Sequence, residues 1–237
     1  MTSLQPERRP LVLAVHGTRS PEGTATSREL ATAVGDRLDV ETHLGWVDIH
    51  TPTLTDTLRR LGDAVVVPVF LTSGYHVTSD LPAAIAAAGG RATATPMVGA
   101  DVLPAVLDRL AELGGFDAVA LAAAGSLRSR SLAQVRAAAN KLSESVHRPA
   151  LAGFVTAASP TVPEAVTALR AAGHARVAIA AYLLAPGRFS AQLASAGADA
   201  VSRPIGVHPL LIDVIARRWH TATADSPAAF QPKAVND

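Results

Sequence analysis

An internal repeat is the feature that most constrains how this 237-residue chain folds. Four short landmarks of the first half recur in the same order in the second half. Residues 13–18, 51–54, 70–76 and 96–101 correspond to residues 122–126, 159–162, 183–189 and 204–208. Repetition of this kind predicts two copies of one arrangement of elements. We therefore expect a duplicated chain, with a first half over residues 1–115 and a second half over residues 116–220, joined near Gly114 and Gly115.

Within each half, apolar and β-branched runs alternate with stretches of helical periodicity. Strands are predicted at 11–15, 40–47, 64–71, 92–98, 117–122, 150–155, 175–184 and 199–205. Helices are predicted at 27–38, 53–61, 79–88, 101–113, 129–146, 163–172 and 210–219. This alternation indicates an α/β fold built from two similar doubly wound parallel-sheet halves of the flavodoxin-like type. Residues 221–237 have little periodicity and predict a disordered tail.

Composition excludes several classes of function. A formal net charge of +1 gives no strong field for nucleic acid or for an anionic membrane. The chain has no cysteine, so disulfides, thiolate metal sites and cysteine-ligated iron–sulfur clusters are excluded. Residues 1–10 are polar and charged, and no apolar run approaches the roughly 20 residues that span a bilayer. We expect a cytoplasmic protein with no nucleic-acid or membrane partner, whose metal ligands, if any, are nitrogen and oxygen atoms.

Two histidines break the repeat. His16 and His76 each follow an apolar strand-like run, and Asp48 follows another, but none of the three recurs in the second half. The matching residues there are Ala124, Phe189 and Thr156. Most histidines at strand ends are simply satisfied by a local hydrogen bond. Here, however, the fold evidently does not require a polar side chain at these places, and the carboxyl ends of parallel strands form a shared ligand crevice. The pattern therefore favours a common site.

The residue types in this predicted site suit a borderline divalent cation. Neutral imidazole binds divalent transition-metal ions, and its pKa of about 6.5 also allows it to accept a proton. With Asp48 as an oxygen ligand, His16 and His76 would form an incomplete shell with open positions. His50 is either a further ligand or a residue that only contacts backbone.

Three motifs follow the first three predicted strands. The first is His16-Gly17-Thr18-Arg19, and the second is an Asp-x-x-x-Pro-x-Leu element that begins at Asp48. The third, over residues 68–82, has the pattern Pro-x-Phe-Leu-x-x-Gly-x-His-x-x-x-Asp-Leu-Pro. Together they resemble the sirohydrochlorin chelatases, in the long form of that family in which two repeats are fused. The family usually has Glu at the place of Asp48.

The resemblance implies a chelatase-type fold and an ATP-independent, lyase-type reaction. The family inserts Fe2+ or Co2+ into sirohydrochlorin or a related precorrin, in sirohaem or cobalamin biosynthesis. It implies His16 and His76 as catalytic and metal-binding residues, with Asp48 as a third ligand. The partners would be the tetrapyrrole and the divalent metal ion, with no further cofactor. Because the short form of the family dimerises, a fused chain is expected to be a monomer.

A tetrapyrrole with eight carboxylates requires cationic donors around its pocket. Arg19 and Arg188 lie in loops predicted to border the cleft, and a guanidinium group pairs with a carboxylate through two hydrogen bonds. The alternative is that both are solvated surface charges. Thr18, Ser73 and Tyr75 are expected either to line the tetrapyrrole or to cap their turns.

The sequence lacks the motifs of several other enzyme classes. The sequence has no Gly-x-Ser-x-Gly elbow of a hydrolase, and Val15 precedes the His-Gly pair where a histidine phosphatase has Arg. Neither a P-loop nor a dinucleotide fingerprint is present. A non-catalytic carrier of metal or tetrapyrrole would share every ligand named above and remains the alternative.

Overall fold

A computed structural model describes residues 8–224 and contains two parallel four-stranded sheets flanked by helices. The first half consists of β1 (Leu11–Val15), α1 (Pro21–Leu38), β2 (Thr42–Trp46), α2 (Leu54–Leu61), β3 (Val65–Pro68), α3 (Leu81–Ala87), β4 (Thr93–Ala94) and α4 (Leu103–Ala111). The second consists of β5 (Ala118–Ala123), α5 (Ser129–Val146), β6 (Ala150–Phe154), α6 (Val162–Ala171), β7 (Val177–Ala181), α7 (Arg188–Leu193), β8 (Ala200–Val201) and α8 (Pro209–Ala224). A π-helical turn over His76–Asp80 precedes α3, and a 3-10 turn over Gly99–Val102 precedes α4.

The two sheets have the same strand order. It is β2-β1-β3-β4 in the first and β6-β5-β7-β8 in the second, and every pairing is parallel. The register is also the same, because Val15 lies opposite Trp46 as Ala123 lies opposite Phe154. The inner strands are buried along their length, which explains why they are continuous apolar runs. The predicted α/β fold with two similar halves is confirmed.

Each half packs its last helix against the sheet of the other half. Helix α4 contacts β7, and α8 contacts β3 and α1. One hydrophobic core therefore runs through both halves, while two smaller cores lie on the outer faces under α2 and α6. Hydrogen bonds also join the two halves: Arg109 of α4 donates two of them to the carbonyl oxygen of Ile205 in the second half, at 3.2 and 2.9 Å. The predicted junction falls between α4 and β5, but the halves are not independent packing units.

The turn after the first strand of each half depends on glycine. Gly17 has a φ of 101° and Gly125 a φ of 98°, a region that side chains disfavour. A Cβ on Gly17 would lie 2.5 Å from the carbonyl oxygen of Asp48, and one on Gly125 would overlap the carbonyl oxygen of Thr156. These glycines let the chain turn closely beside the loop after the neighbouring strand, so residues that follow adjacent strands are brought together.

Some predicted boundaries were wrong. Helix α1 begins at Pro21 rather than at residue 27, because Ser20 caps it by accepting a hydrogen bond from the N–H of Gly23. Helix α7 was not predicted. The tail predicted to be disordered begins at residue 221, but helix α8 continues to Ala224, so the first four residues of that tail are helical. Residues 225–237 lie outside the described residues. Across 8–224, no helix combines the length and apolarity that crossing a membrane requires.

Candidate functional site

A cleft of about 730 Å³ lies between the halves, beyond the carboxyl ends of the strands. The first half contributes the loops after β1 and β3, and the second half contributes those after β5 and β7. Such a volume is within the usual range for sites that enclose a small-molecule ligand. The cleft is also where an open parallel sheet is expected to bind its ligand.

The structure brings His16 and His76 together in this cleft. Their ring centroids are 4.4 Å apart and their planes meet at 75°. Two imidazole nitrogens that share one tetrahedral ion are separated by about 3.4 Å, so small side-chain adjustments suffice for both rings to contact a single cation. The β1 loop positions one ring and the π-helical turn positions the other.

Asp80 fixes the orientation of the His76 ring. The Nδ1 atom of His76 is 2.7 Å from the Oδ2 atom of Asp80, four residues later on the same turn. Since an ionised carboxylate only accepts hydrogen bonds, Nδ1 carries the proton and donates it to Asp80. The lone pair then resides on Nε2, which is the atom left for a metal ion. Metal-binding histidines commonly have such a carboxylate partner. Asp80 belongs to the third sequence motif, but no role was predicted for it.

The surroundings of His16 favour its neutral form. Although part of its side chain is exposed to the cleft, burial by the surrounding protein lowers the pKa of His16. The neighbouring His76 lowers that pKa further, against the opposing effect of Asp48. An imidazole that stays neutral keeps a lone pair for a cation at neutral pH.

Asp48 does not complete a three-ligand shell. It is exposed, and its Oδ1 atom accepts a hydrogen bond from the N–H of Ile49 at 2.8 Å. It lies near enough to influence His16 electrostatically. Within residues 8–224, however, no three His, Cys, Asp or Glu side chains are grouped closely enough to hold a metal ion. The structure therefore presents a pair of imidazoles rather than the expected preformed shell with an oxygen ligand.

His50 contacts the backbone of the His-Gly-Thr turn. Its Nε2 atom is 2.5 Å from the carbonyl oxygen of Thr18. Its ring packs against the ring of Trp46, with the two ring centroids 4.7 Å apart. Of the two alternatives for His50, the geometry supports the backbone contact, because Nε2 bonds to that carbonyl oxygen and His50 is not among the described residues that line the cleft.

The rest of the cleft is mostly apolar, with some hydroxyl side chains, and contains no acidic side chain among its described lining residues. The second half presents Ala124 and Phe189 at the places that correspond to the two histidines. Arg19 and Arg188 both line the cleft and are exposed, and neither side chain makes a hydrogen bond or an ion pair with another residue of the described chain. Their guanidinium groups are available to an anionic ligand.

The three remaining predicted residues have different surroundings. The Thr18 hydroxyl lies beside the cleft but accepts a hydrogen bond from the N–H of Ser20 at 3.1 Å, so it also caps its turn. Tyr75 lines the cleft with 57% of its surface exposed. Ser73 does not line it, because its N–H and hydroxyl groups both donate to Gln134 of α5. The expected substrate contact of Ser73 is therefore not supported.

Comparison with known proteins gives consistent matches. The model of the CbiX family matches the chain twice, over residues 10–112 and 118–222. A curated relative is the sirohydrochlorin cobaltochelatase of Methanopyrus kandleri, which is 32% identical over 78 residues. That segment is 30% of this chain and 54% of the relative, so the match spans about half the length of that protein.

Two solved structures share the fold across nearly the whole chain. SirB from Bacillus subtilis with Fe3+ has a TM-score of 0.78 and 21% identity, and the match covers 92% of this chain and 96% of that one. The sirohydrochlorin chelatase SirB from Bacillus subtilis subspecies spizizenii, in complex with cobalt, has a TM-score of 0.74 and 17% identity over the same shares of the two chains. At these low sequence identities, the similarity to the two structures is evidence for a shared fold.

Proposed function

The chain belongs to the CbiX family, and on this basis we propose that it is an enzyme that inserts Fe2+ or Co2+ into sirohydrochlorin. The observation that carries the proposal is that two imidazole rings lie side by side in a mostly apolar cleft. Two arginine side chains without partners among the described residues, Arg19 and Arg188, line the same cleft. A planar macrocycle with carboxylates at its edge needs an apolar space of this kind with cations at the border. The named relatives act on sirohydrochlorin or bind iron or cobalt, in agreement with this assignment.

The imidazole pair holds the incoming ion without enclosing it. Two nitrogen ligands leave at least two coordination positions of a divalent cation open to water and then to the ring nitrogens. The absence of thiolates from this chain keeps the binding loose enough for transfer. His16 and His76 are therefore proposed as the ligands that present the metal to the ring, with Asp48 outside the initial pair.

Insertion also requires proton removal. As the ring nitrogens take over the ion, two pyrrole N–H bonds break and two protons leave. An imidazole that has released the ion recovers its lone pair and accepts one of these protons, which then passes to solvent. His16 and His76 thus serve first as metal ligands and then as general bases.

The second half supplies the opposite wall and one cation. Arg188 and Arg19 are proposed to pair with peripheral carboxylates from the two sides of the cleft, and Phe189 offers an apolar surface to the ring. The two halves of this chain bury their apolar faces in one shared core, which supports a monomer. We place the reaction in the cytoplasm, without ATP.

Turnover distinguishes this function from that of a carrier. Purified protein at one-hundredth of the sirohydrochlorin concentration is mixed anaerobically with excess Co2+, Fe2+ or Ni2+, and the absorption spectrum is followed. A chelatase converts many equivalents of tetrapyrrole faster than the uncatalysed reaction. A carrier of metal or tetrapyrrole would change the spectrum by one equivalent at most. The ratio of the rates for the three metals identifies the preferred ion.

A further inference from the structure

Gln134 connects the second half to the loop that holds His76. Its Oε1 atom accepts a hydrogen bond from the backbone N–H of Ser73 at 2.8 Å and another from the Ser73 hydroxyl at 2.9 Å. Ser73 precedes His76 by three residues, whereas Gln134 lies in the second turn of α5, 61 residues further along the chain. One amide oxygen thus anchors both the main chain and the side chain of this loop.

The chemistry of these contacts fixes which end of the amide faces the loop. A backbone N–H can only donate, so the atom that meets it must be the carbonyl oxygen of the Gln134 side chain rather than its nitrogen. Both residues are half-buried, which reduces the competition from water for these hydrogen bonds. The contact is therefore specific for an acceptor at this position.

A second contact from α5 reaches the same loop. The guanidinium of Arg128, at the start of α5, lies 5.3 Å from the ring centroid of Tyr75, within the range of a cation–π interaction. The Tyr75 ring in turn meets the ring of His76 edge to face at 6.3 Å. Two residues of the second half thus bracket the segment that leads into His76.

The internal repeat shows that this anchoring is not a by-product of duplication. Helices α1 and α5 have the same length of 18 residues, and Thr26 of α1 corresponds to Gln134. The Thr26 hydroxyl bonds within its own helix, to the carbonyl oxygen of Glu22. Pro186 corresponds to Ser73 and has no N–H to donate. The reciprocal contact is therefore impossible, and the anchor exists only on the side of the cleft that carries histidine.

From these contacts we propose that Gln134 is a positioning residue for His76, and that the second half, which has no histidine pair, contributes to the metal centre by holding the His76 loop in place. The proposal rests on the proposed function only in taking His76 as a metal ligand. Gln134 acts through Ser73, and Arg128 supports it through Tyr75. Loss of the acceptor is expected to release the loop and to separate the two imidazoles without unfolding the protein.

The test compares Gln134→Met, which keeps the length of the side chain but removes the strong acceptor, with Gln134→Glu, which keeps an acceptor oxygen. Gln192→Met, on the exposed face of α7, is the matched control. Each full-length variant is titrated with Co2+ alone, and both the affinity and the visible absorption bands of the bound ion are recorded. Thermal unfolding of the metal-free proteins is measured in parallel.

We expect Gln134→Met to weaken Co2+ binding about 10-fold and to alter the Co2+ bands, in the range found when outer partners of metal ligands are removed. Gln134→Glu should stay within about 3-fold of the wild type and keep its spectrum, as should Gln192→Met. Wild-type affinity and spectrum in Gln134→Met would overturn the proposal, as would equal losses in Gln134→Glu and Gln134→Met.

If Gln134→Met does not fold, Ser73→Ala decides the question, because it removes only the hydroxyl bond. A smaller loss of Co2+ affinity, about 3-fold, supports the proposal, and no loss refutes it. Because Co2+ binding is read without turnover, the two claims fail separately. Wild-type protein that binds Co2+ in a Gln134-dependent way but does not metallate sirohydrochlorin would refute the proposed function alone.

Discussion

The most informative perturbation of the site is Asp80→Ala. The carboxylate of Asp80 keeps the proton of His76 on Nδ1 through a 2.7 Å hydrogen bond, which leaves Nε2 for the metal. Without it, the imidazole exchanges between its two tautomers and rotates, so it binds a cation less often in the right form. Asp80 makes no capping hydrogen bond to α3, so its removal should change the free energy of unfolding little.

The expected magnitude follows from the exposure of the pair. Losing an outer carboxylate partner of a metal ligand typically costs about 10- to 100-fold in metal affinity. The side chains of His76 and Asp80 are 31% and 34% exposed, so water screens their interaction and replaces part of the lost hydrogen bond. We therefore expect a loss at the lower end, about 10-fold, which corresponds to about 1.4 kcal/mol.

The assay is a calorimetric Co2+ titration near pH 7.5. Asp80→Asn retains an oxygen that accepts from Nδ1 but lacks the charge, so its loss should be about 3-fold. Asp36→Ala, an exposed change on α1 away from the cleft, is the control and should bind Co2+ like the wild type. Wild-type affinity in Asp80→Ala, or an equal loss in Asp36→Ala, would show that the carboxylate does not orient the ring.

Three further predictions concern the remaining residues of the site. His50→Ala removes the hydrogen bond to the Thr18 carbonyl, so it should lower the free energy of unfolding in denaturant by about 1–3 kcal/mol; a large loss of Co2+ affinity at unchanged stability would instead make His50 a ligand. Arg188→Ala should raise the KM for sirohydrochlorin about 10-fold with little change in kcat, and an unchanged KM would remove it from the pocket. Burial and His76 lower the pKa of His16, so this ring should take up its proton only below the ordinary value of about 6.5 and compete with Co2+ only there. NMR should detect an upward shift of that pKa in His76→Ala, and titration of wild-type His16 above pH 6.5 would contradict this.

Periodicity sufficed to predict the sheets. All eight strands of the described residues lie within the predicted ranges or extend one residue beyond them. The four inner strands gave the clearest patterns, because they are buried on both faces and are apolar throughout. The start of α1 was missed because its first turn is polar, although Ser20 followed by Pro21 is a recognisable helix start. Helix α7 has only six residues, too few to show a helical period.

The approach of His16 to His76 followed from the asymmetry of the repeat and from the geometry of parallel sheets. The contact of Asp80 with His76 could have been predicted, because residues four apart on a helical turn face each other. The bonds between Ser73 and Gln134, and the exchange of α4 and α8 between the sheets, join residues distant in sequence. No local pattern encodes such contacts, which depend on how the two halves dock.

The proposed function depends on one divalent cation that binds between His16 and His76. A crystal of the Co2+-loaded protein, measured at the cobalt absorption edge, tests it directly. We expect one strong anomalous peak in the cleft, about 2.0–2.2 Å from a nitrogen of each imidazole. A peak bound to only one of the two rings, or located elsewhere in the protein, would contradict it.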